Sequence, residues 1–535
     1  MSEFEIEAVP VPPGIMIERD VIVEMRDRTK LYLNVYRPDK PGQFPVIMSF
    51  SPYGKDSSPQ EWVERLKSFS EMGLSVGKLR VSRLTPFEAP DPAFWVPYDY
   101  VVIHVDVRGF GKSEGERGSL RIWNKAEVQD YYEMIEWAGR QKWSNGRVGL
   151  HGVSYLAIAQ YYAASTNPPH LKAIIPWEGF SDQYRDTCFP GGIPESNFHA
   201  YWEKRYLGKT FDESALAAFL DPVTNQSMLK TSPQLEKIKV PALICATWSD
   251  HGLHSRGGFE AFGRISSRKR WLYTHGRRKW EEYYSDEGLK HQKKFLDYFL
   301  KGVDNSIMDE PRVRLEVRET LNDYQVRHEN EWPMARTVYK KLYLDAEAGT
   351  LNLNKAGRAG KVSYDSADGG AVFGITFDDD TELSGHMKMK MWVSTREADD
   401  IDLFTNLEKL DAAGNTVYFN GMNAYEKGNV ARGWLRVSQR TLDKKMSTPW
   451  RPFLKHQGEK KLKPDEIVAV EIEILPSSTL FRKGETLRVT IQGKDPIAHP
   501  LIKYERLVNK GAHTIYTGDK YDSYLLVPVI PPQTR

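Results

Sequence analysis

Between about residues 20 and 177 the chain alternates short apolar runs with stretches of helical spacing. That alternation restricts it to a mostly parallel sheet covered by helices on both faces. "VIVEMRDRTKLYLNVYRP" reads as a hairpin turning at "RDRT". "FPVIMSFSPYG" and "YVVIHVDVRGFGKSEG" read as buried strands ending in loops. "KAEVQDYYEMIEWAGRQ" places Val128, Tyr131, Tyr132, Ile135 and Ala138 on one helical face. "GRVGLHGVSYLAIAQYYAAS" reads as strand, sharp turn and helix, and "LKAIIPWEG" as a strand again.

The rhythm stops at about 178–236, where "FHAYWEKRYLG" and "ESALAAFL" read as short helices. It resumes with "VPALICATWSD", "KRWLYTHGR" and the closing helix "EGLKHQKKFLDYFLKG", for which Gly302 is the stop signal. From about 311 alternating runs dominate, among them "RVRLEVRET", "MKMKMWVST" and "ETLRVTIQG". The expected organisation is therefore an α/β core over 1–177 and 237–310, a helical cap inserted at 178–236, and an all-β sandwich or jelly roll over 311–535.

A chain of 535 residues has room for such a set of domains. Its 74 basic and 72 acidic residues leave a formal charge of +2, which offers no electrostatic case for nucleic acid or a membrane surface. "RRK" at 277–279 reads as solvated surface. Two cysteines, Cys188 and Cys245, are too few for a disulfide framework or a four-cysteine zinc site. Cys245, in "PALICATW", reads as a small buried hydrophobe. The segment "MSEFEIEAVPVPPGIMIERD" lacks the basic-then-apolar pattern of a signal peptide, and no run reaches the roughly 18 apolar residues of a membrane span. The expectation is a soluble, cytoplasmic protein.

In an open α/β sheet function sits at the carboxyl ends of the strands. The polar residues there are Tyr53, Asp106, Arg108, Ser154, Asp250 and His275. The order Ser154, Asp250, His275 is the nucleophile–acid–base order of α/β-hydrolases. A serine needs a base to take its proton, and the base needs a carboxylate to fix its tautomer. The turn is Gly152-Val153-Ser154-Tyr155-Leu156, so the second glycine of Gly-x-Ser-x-Gly is missing, with small Ala157 one place later.

Competing readings are weaker. Ser154 alone could be a helix N-cap. Asp182 and Asp286 are rival acids. His251 and His254, in "DHGLH", have a His-x-x-His spacing but no further ligand set, so they are read as pocket rim or helix cap and no metal is expected. His151 reads as a buried structural histidine, and Asp106 and Arg108 as ties between loops. "GFGKS" at 109–113 lacks the first glycine of a phosphate loop. Trp177 and Trp248, each following a core strand, are the candidates for the walls of a substrate pocket.

"SPYGK", "DVRGFGKSEG", "EWAGRQKWSNGRVGLHGVSYLA", "ATWSDHGLHSRGGFEAF", "HGRRKWEEYYSDEGLKHQKKFLDYFLKG" and "PSSTLFRKGETLRVTI" together give nearly the whole chain a resemblance. It resembles the cocaine esterase/X-Pro dipeptidyl-peptidase-like (CocE/NonD) acyl hydrolases, whose own elbow is Gly-x-Ser-Tyr. The resemblance implies Ser154 as nucleophile, Asp250 as acid and His275 as base. It also implies an oxyanion hole made by the Tyr53 hydroxyl and the Tyr155 backbone N–H, a helical cap, a C-terminal jelly roll and no cofactor. The expected partner is a small-molecule acyl substrate, an ester or amide, with a homo-oligomer left open. An acyltransferase, an X-Pro-type dipeptidyl peptidase and a binding protein on an inactive fold are the alternatives.

Overall fold

The computed structural model describes residues 5–71, 74, 77–121, 123–422, 425–497 and 499–532. Its N-terminal half is built on one twisted sheet. The strands are β1 (Ile15–Glu24), β2 (Lys30–Pro38), β3 (Phe44–Ser51), β4 (Val101–Asp106), β5 (Ser144–Val153), β6 (Leu171–Trp177), β7 (Ala242–Thr247) and β8 (Arg270–His275). Their spatial order is β1-β2-β4-β3-β5-β6-β7-β8. The β1–β2 and β2–β4 pairs are antiparallel and every later pair is parallel.

Parallel strands with both faces covered read as unbroken apolar runs, and the packing shows why. On β3, Val46 and Met48 enter one core while Ile47 enters the other. On β7, Ile244 and Ala246 face one side while Leu243 and Cys245 face the opposite side. The period of two thus divides each strand between two hydrophobic cores.

Helices α1 (Lys125–Gly139), α2 (Tyr155–Ser165), α3 (Phe198–Leu207), α4 (Ser255–Arg264), α5 (Lys279–Tyr283) and α6 (Asp286–Leu296) complete the layers. α3 belongs to the segment between β6 and β7, together with the short helix Glu213–Phe219 and several single turns. That segment also holds on to the C-terminal half. Ser196 N–H donates to the Lys503 carbonyl at 2.8 Å, and Asn197 Nδ2 donates to the Leu501 carbonyl at 2.7 Å.

The C-terminal half is β-rich and has its own core of Leu, Val, Ile, Met and Phe side chains. Its longest pair is Thr381–Thr395 against Val468–Phe481. The strand Val313–Arg318, β9, carries the alternating pattern of the C-terminal half, yet it extends the first sheet. Leu272 and Tyr273 of β8 pair with Val313 and Arg314 in parallel. Among the described residues no helix is long and apolar enough to cross a membrane.

Candidate active site

β5 runs into α2 through Ser154, and the turn is tight. Ser154 has φ 57° and ψ −116°, a conformation that costs on the order of 1–3 kcal/mol in a non-glycine residue. Gly152, at φ 138°, is required for a concrete reason: a Cβ there would lie 2.5 Å from the Leu156 Cβ and 3.3 Å from the Glu88 carbonyl oxygen. The missing second glycine is thereby explained. Leu156 occupies the space that the bare Gly152 leaves, so one glycine suffices for this elbow. The backbone is pinned by Val153 N–H to Glu88 O at 3.1 Å and by Ser154 N–H to Trp177 O at 3.1 Å. Tyr155 is the first residue of α2, so its N–H has no intrahelical acceptor and is positioned as a donor beside Ser154.

Ser154 is half-buried and its Oγ lies 3.2 Å from His254 Nε2. His254 Nδ1 lies 2.5 Å from Asp250 Oδ2. With Nδ1–H donating to the carboxylate, Nε2 is the acceptor for the serine hydroxyl. Asp250 and His254 sit four residues apart in the turns that lead from β7 into α4, where the His254 N–H also bonds the Asp250 carbonyl at 3.0 Å. Phe180 stacks on the imidazole at 6.4 Å between centroids.

His275, expected to be the base, is not brought to Ser154. It ends β8, is fully buried and stacks on Trp177 at 6.1 Å. Its Nδ1 accepts the Arg277 N–H at 3.2 Å, and its Nε2 lies 3.0 Å from Glu178 Oε1. That second approach is close but not aligned as a hydrogen bond, and the Glu178 carboxylate oxygens find no aligned donor among the described residues. The reason is register: β8 extends through His275, so the side chain is committed to the core between sheet and helices. His254, read from sequence as rim or cap, takes the place beside Ser154. The signal present in the sequence was the Asp-x-x-x-His spacing, which puts the two side chains on one helical face.

Lys279, the second residue that sequence reasoning missed, opens α5. Its buried Nζ lies 2.9 Å from Asp250 Oδ2 and 3.2 Å from His254 Nδ1. Burial by itself would raise the Asp250 carboxyl, but Lys279 and His254 overturn this and hold it well below the usual carboxylate range. Burial, then the Lys279 charge, lower the His254 pKa against the opposing pull of Asp250.

The remaining expectations divide. Tyr53 is half-buried beside the elbow, its ring edge-on to Tyr155 at 6.2 Å, to Phe87 at 5.3 Å and to Tyr206 of α3 at 5.4 Å. The Tyr155 hydroxyl donates to Glu127 at 2.6 Å beneath the elbow. Trp177 and Trp248 are fully buried, so neither walls a pocket. Trp177 packs on Tyr273 and Tyr283, while Trp248 stacks on Phe259 and donates its indole N–H to Glu316 O at 3.0 Å. Their place after strands pointed to the core and not to the mouth. His151 is buried and bonded to Tyr283 at 2.6 Å. Asp106 accepts from the backbone of Lys55 and Lys112, and Arg108 forks onto Asp130.

Two groups have the residue types of a metal site, Glu178 with Asp250 and His254, and Glu178 with Cys245 and His275. They fit an ion poorly. Lys279 already supplies a cation at Asp250, and burial pushes the Cys245 thiol well above its usual pKa, away from the thiolate that binds metals. The arrangement is that of a hydroxyl activated by an oriented imidazole, which is the chemistry of acyl transfer.

The comparisons with known proteins bear on the family and the class of reaction. The X-Pro dipeptidyl-peptidase (S15 family) profile matches residues 27–229, and the X-Pro dipeptidyl-peptidase C-terminal non-catalytic domain matches residues 305–526. The crystal structure of a CocE/NonD family hydrolase from Staphylococcus aureus is 46% identical, covers 97% of this chain and 94% of its own, and superposes with a TM-score of 0.91. The cocaine esterase of Rhodococcus sp. (strain MB1 Bresler) is 23% identical over 96% of this chain and 98% of its own length. A putative Xaa-Pro dipeptidyl-peptidase of Bacillus cereus is 26% identical over 67% of this chain and 66% of its own. An α/β-hydrolase-like half bearing a serine–imidazole–carboxylate array, joined to a β-rich half, therefore places this chain in the CocE/NonD family of serine hydrolases, enzymes acting on ester or peptide bonds.

Proposed function

We propose that the protein cleaves a carboxylic ester or amide of a small acyl substrate through an acyl-enzyme. Ser154 is the nucleophile, His254 the general base and Asp250 the carboxylate that orients it. The observation that carries this reading is the continuous Ser154–His254–Asp250 contact at 3.2 and 2.5 Å. His254 takes the Ser154 proton as Oγ attacks the carbonyl carbon, then returns it to the leaving group. Water, deprotonated by the same imidazole, attacks the acyl-enzyme and frees Ser154. The Tyr155 N–H and the Tyr53 hydroxyl face the developing oxyanion, where losing one donor costs about 2.7–4 kcal/mol of barrier. The β-rich half is read as a jelly roll that backs the segment at 178–236 over the site.

Fluorophosphonate labelling and p-nitrophenyl acetate turnover test this reading in wild type, Ser154→Ala and His254→Gln. Labelling is expected to vanish in Ser154→Ala, and turnover in both variants. A His254→Gln enzyme with wild-type turnover would remove His254 from the mechanism. The S15 profile over 27–229 favours a second reading, an X-Pro dipeptidyl peptidase. Release of p-nitroaniline from Ala-Pro-p-nitroanilide at a rate rivalling the ester would establish it. Product analysis with an added alcohol or amine separates hydrolysis from acyl transfer.

A further inference from the structure

We propose that Lys279 is a positioning residue that clamps the catalytic carboxylate and keeps the His254 base free of a proton in mildly acidic solution. The inference rests on the reading of His254 as base and goes beyond it, because an ordinary triad has no cation at its acid.

The geometry is specific. Lys279 Nζ and His254 Nδ1 converge on one atom, Asp250 Oδ2, from 2.9 and 2.5 Å. Both are donors, so the 3.2 Å between them is a cation set beside an N–H and not a bond between the two. An imidazolium formed there has a positive neighbour at close range. Like charges this close repel, so the cation acts on the protonation of His254.

Other charged groups face the pair from every element around it. Glu178, after β6, has a carboxylate oxygen within 4.8 Å of the ligand atoms of both Asp250 and His254. Glu178 itself is held in the left-handed region at φ 51°, with its N–H on the Cys245 carbonyl. Glu88, from the loop before β4, adds a further negative charge felt by Lys279, together with Asp250 and Glu178. Phe180, on the imidazole face, is uncharged. Asp250 and Glu178 pull the imidazole toward its protonated form and Lys279 pulls against them, so removing Lys279 leaves that pull without its opposing cation and the base would hold a proton to higher pH. Burial and Lys279 act in the same direction on His254, with Asp250 and Glu178 opposing.

The test is the pH dependence of kcat/KM with p-nitrophenyl acetate for the full chain as wild type, Lys279→Met and Lys279→Arg. Activity needs neutral His254, so it is lost as pH falls through the pKa of that residue. In wild type the acidic limb is expected below the ordinary histidine value of about 6.5. In Lys279→Met it is expected to move up by at least about one unit, a tenfold shift in the protonation equilibrium. Lys279→Arg keeps the charge and is expected to keep the wild-type limb. A wild-type limb at or above that ordinary value, or coincident limbs in wild type and Lys279→Met, would overturn the proposal. Should Lys279→Met fail to fold, Lys279→Gln takes its place, with the His254 imidazole of 13C-histidine-labelled wild type and variant titrated by NMR; equal midpoints in the two would overturn the proposal. Failure of the base assignment is distinguishable: it appears as retained turnover in His254→Gln. Failure of the lysine role alone leaves His254→Gln inactive and the Lys279→Met limb unmoved.

Discussion

Two histidine–carboxylate pairs stand close to one another in this fold, and they have opposite fates. His254 with Asp250 leads from β7 into a helix and meets the half-buried Ser154. His275 with Glu178 ends a strand and is sealed beneath the same site, stacked on Trp177. The residue types are nearly identical. What separates them is backbone direction: a turn delivers its side chain to Ser154, whereas a strand residue is bound to the face its register assigns. A catalytic role therefore cannot be read from residue type and chain order alone.

The comparison is broken most directly by exchanging the roles. His254→Gln is expected to lower kcat/KM by roughly ten-thousand-fold or more, as loss of a triad base does, with little change in thermal unfolding. His275→Gln is expected to do the reverse. Rate should stay within about tenfold of wild type, while stability falls by about 1–3 kcal/mol, because the stacking on Trp177 is lost and the buried Arg277 N–H loses its acceptor. Denaturant unfolding beside steady-state kinetics measures both. A His275→Gln enzyme that folds normally and has lost turnover would reverse the assignment.

On the open side, Tyr53→Phe keeps the ring contacts with Phe87, Tyr155 and Tyr206 but removes the hydroxyl. A drop in kcat of roughly a hundred- to a thousand-fold is expected, with KM little changed. An unchanged kcat would take Tyr53 out of the oxyanion hole.

On the sealed side, Glu127 accepts from Tyr155 and Tyr131 under the elbow, and burial raises its pKa to about 7. A carboxyl that keeps its proton in the folded state contributes stability below its ordinary value of 4.5, and that contribution is lost as pH rises through 7. Glu127→Gln is expected to remove this dependence and to be more stable than wild type above pH 7 by up to about 3 kcal/mol. Parallel unfolding curves at pH 5 and pH 8 check the sign.

Much of the architecture was legible. The alternation of runs announced the parallel sheet, and the change of texture near 311 announced the β-rich half. Ser154 was legible because a small-residue turn between a strand and a helix is a local property. Asp250 was legible as a polar residue at a strand end. His254 was missed because two histidines follow the acid within four residues and a third stood at the expected place in the chain order. Choosing among them requires knowing where β8 stops. Lys279 was read as part of a solvated basic patch, "RRK", although only its position in α5 turns it inward. The tryptophans failed for a related reason: a residue just past a strand is at the mouth only if the chain has already left the core.

β9 gives the two halves a shared beam. Leu272 and Tyr273 pair with its start, while Arg318 at its end meets Thr479 and donates to the Val430 carbonyl and Ser477. Midway along it, Glu316 receives the Trp248 indole through its carbonyl and the Gly276 N–H through its carboxylate. Such a joint transmits load and does not hinge. Opening of the site by swinging one half away from the other would tear backbone pairing, so traffic in and out of the site falls to the segment between β6 and β7. Truncation just before β9 would strip β8 of its outer neighbour and leave the Trp248 indole without its acceptor.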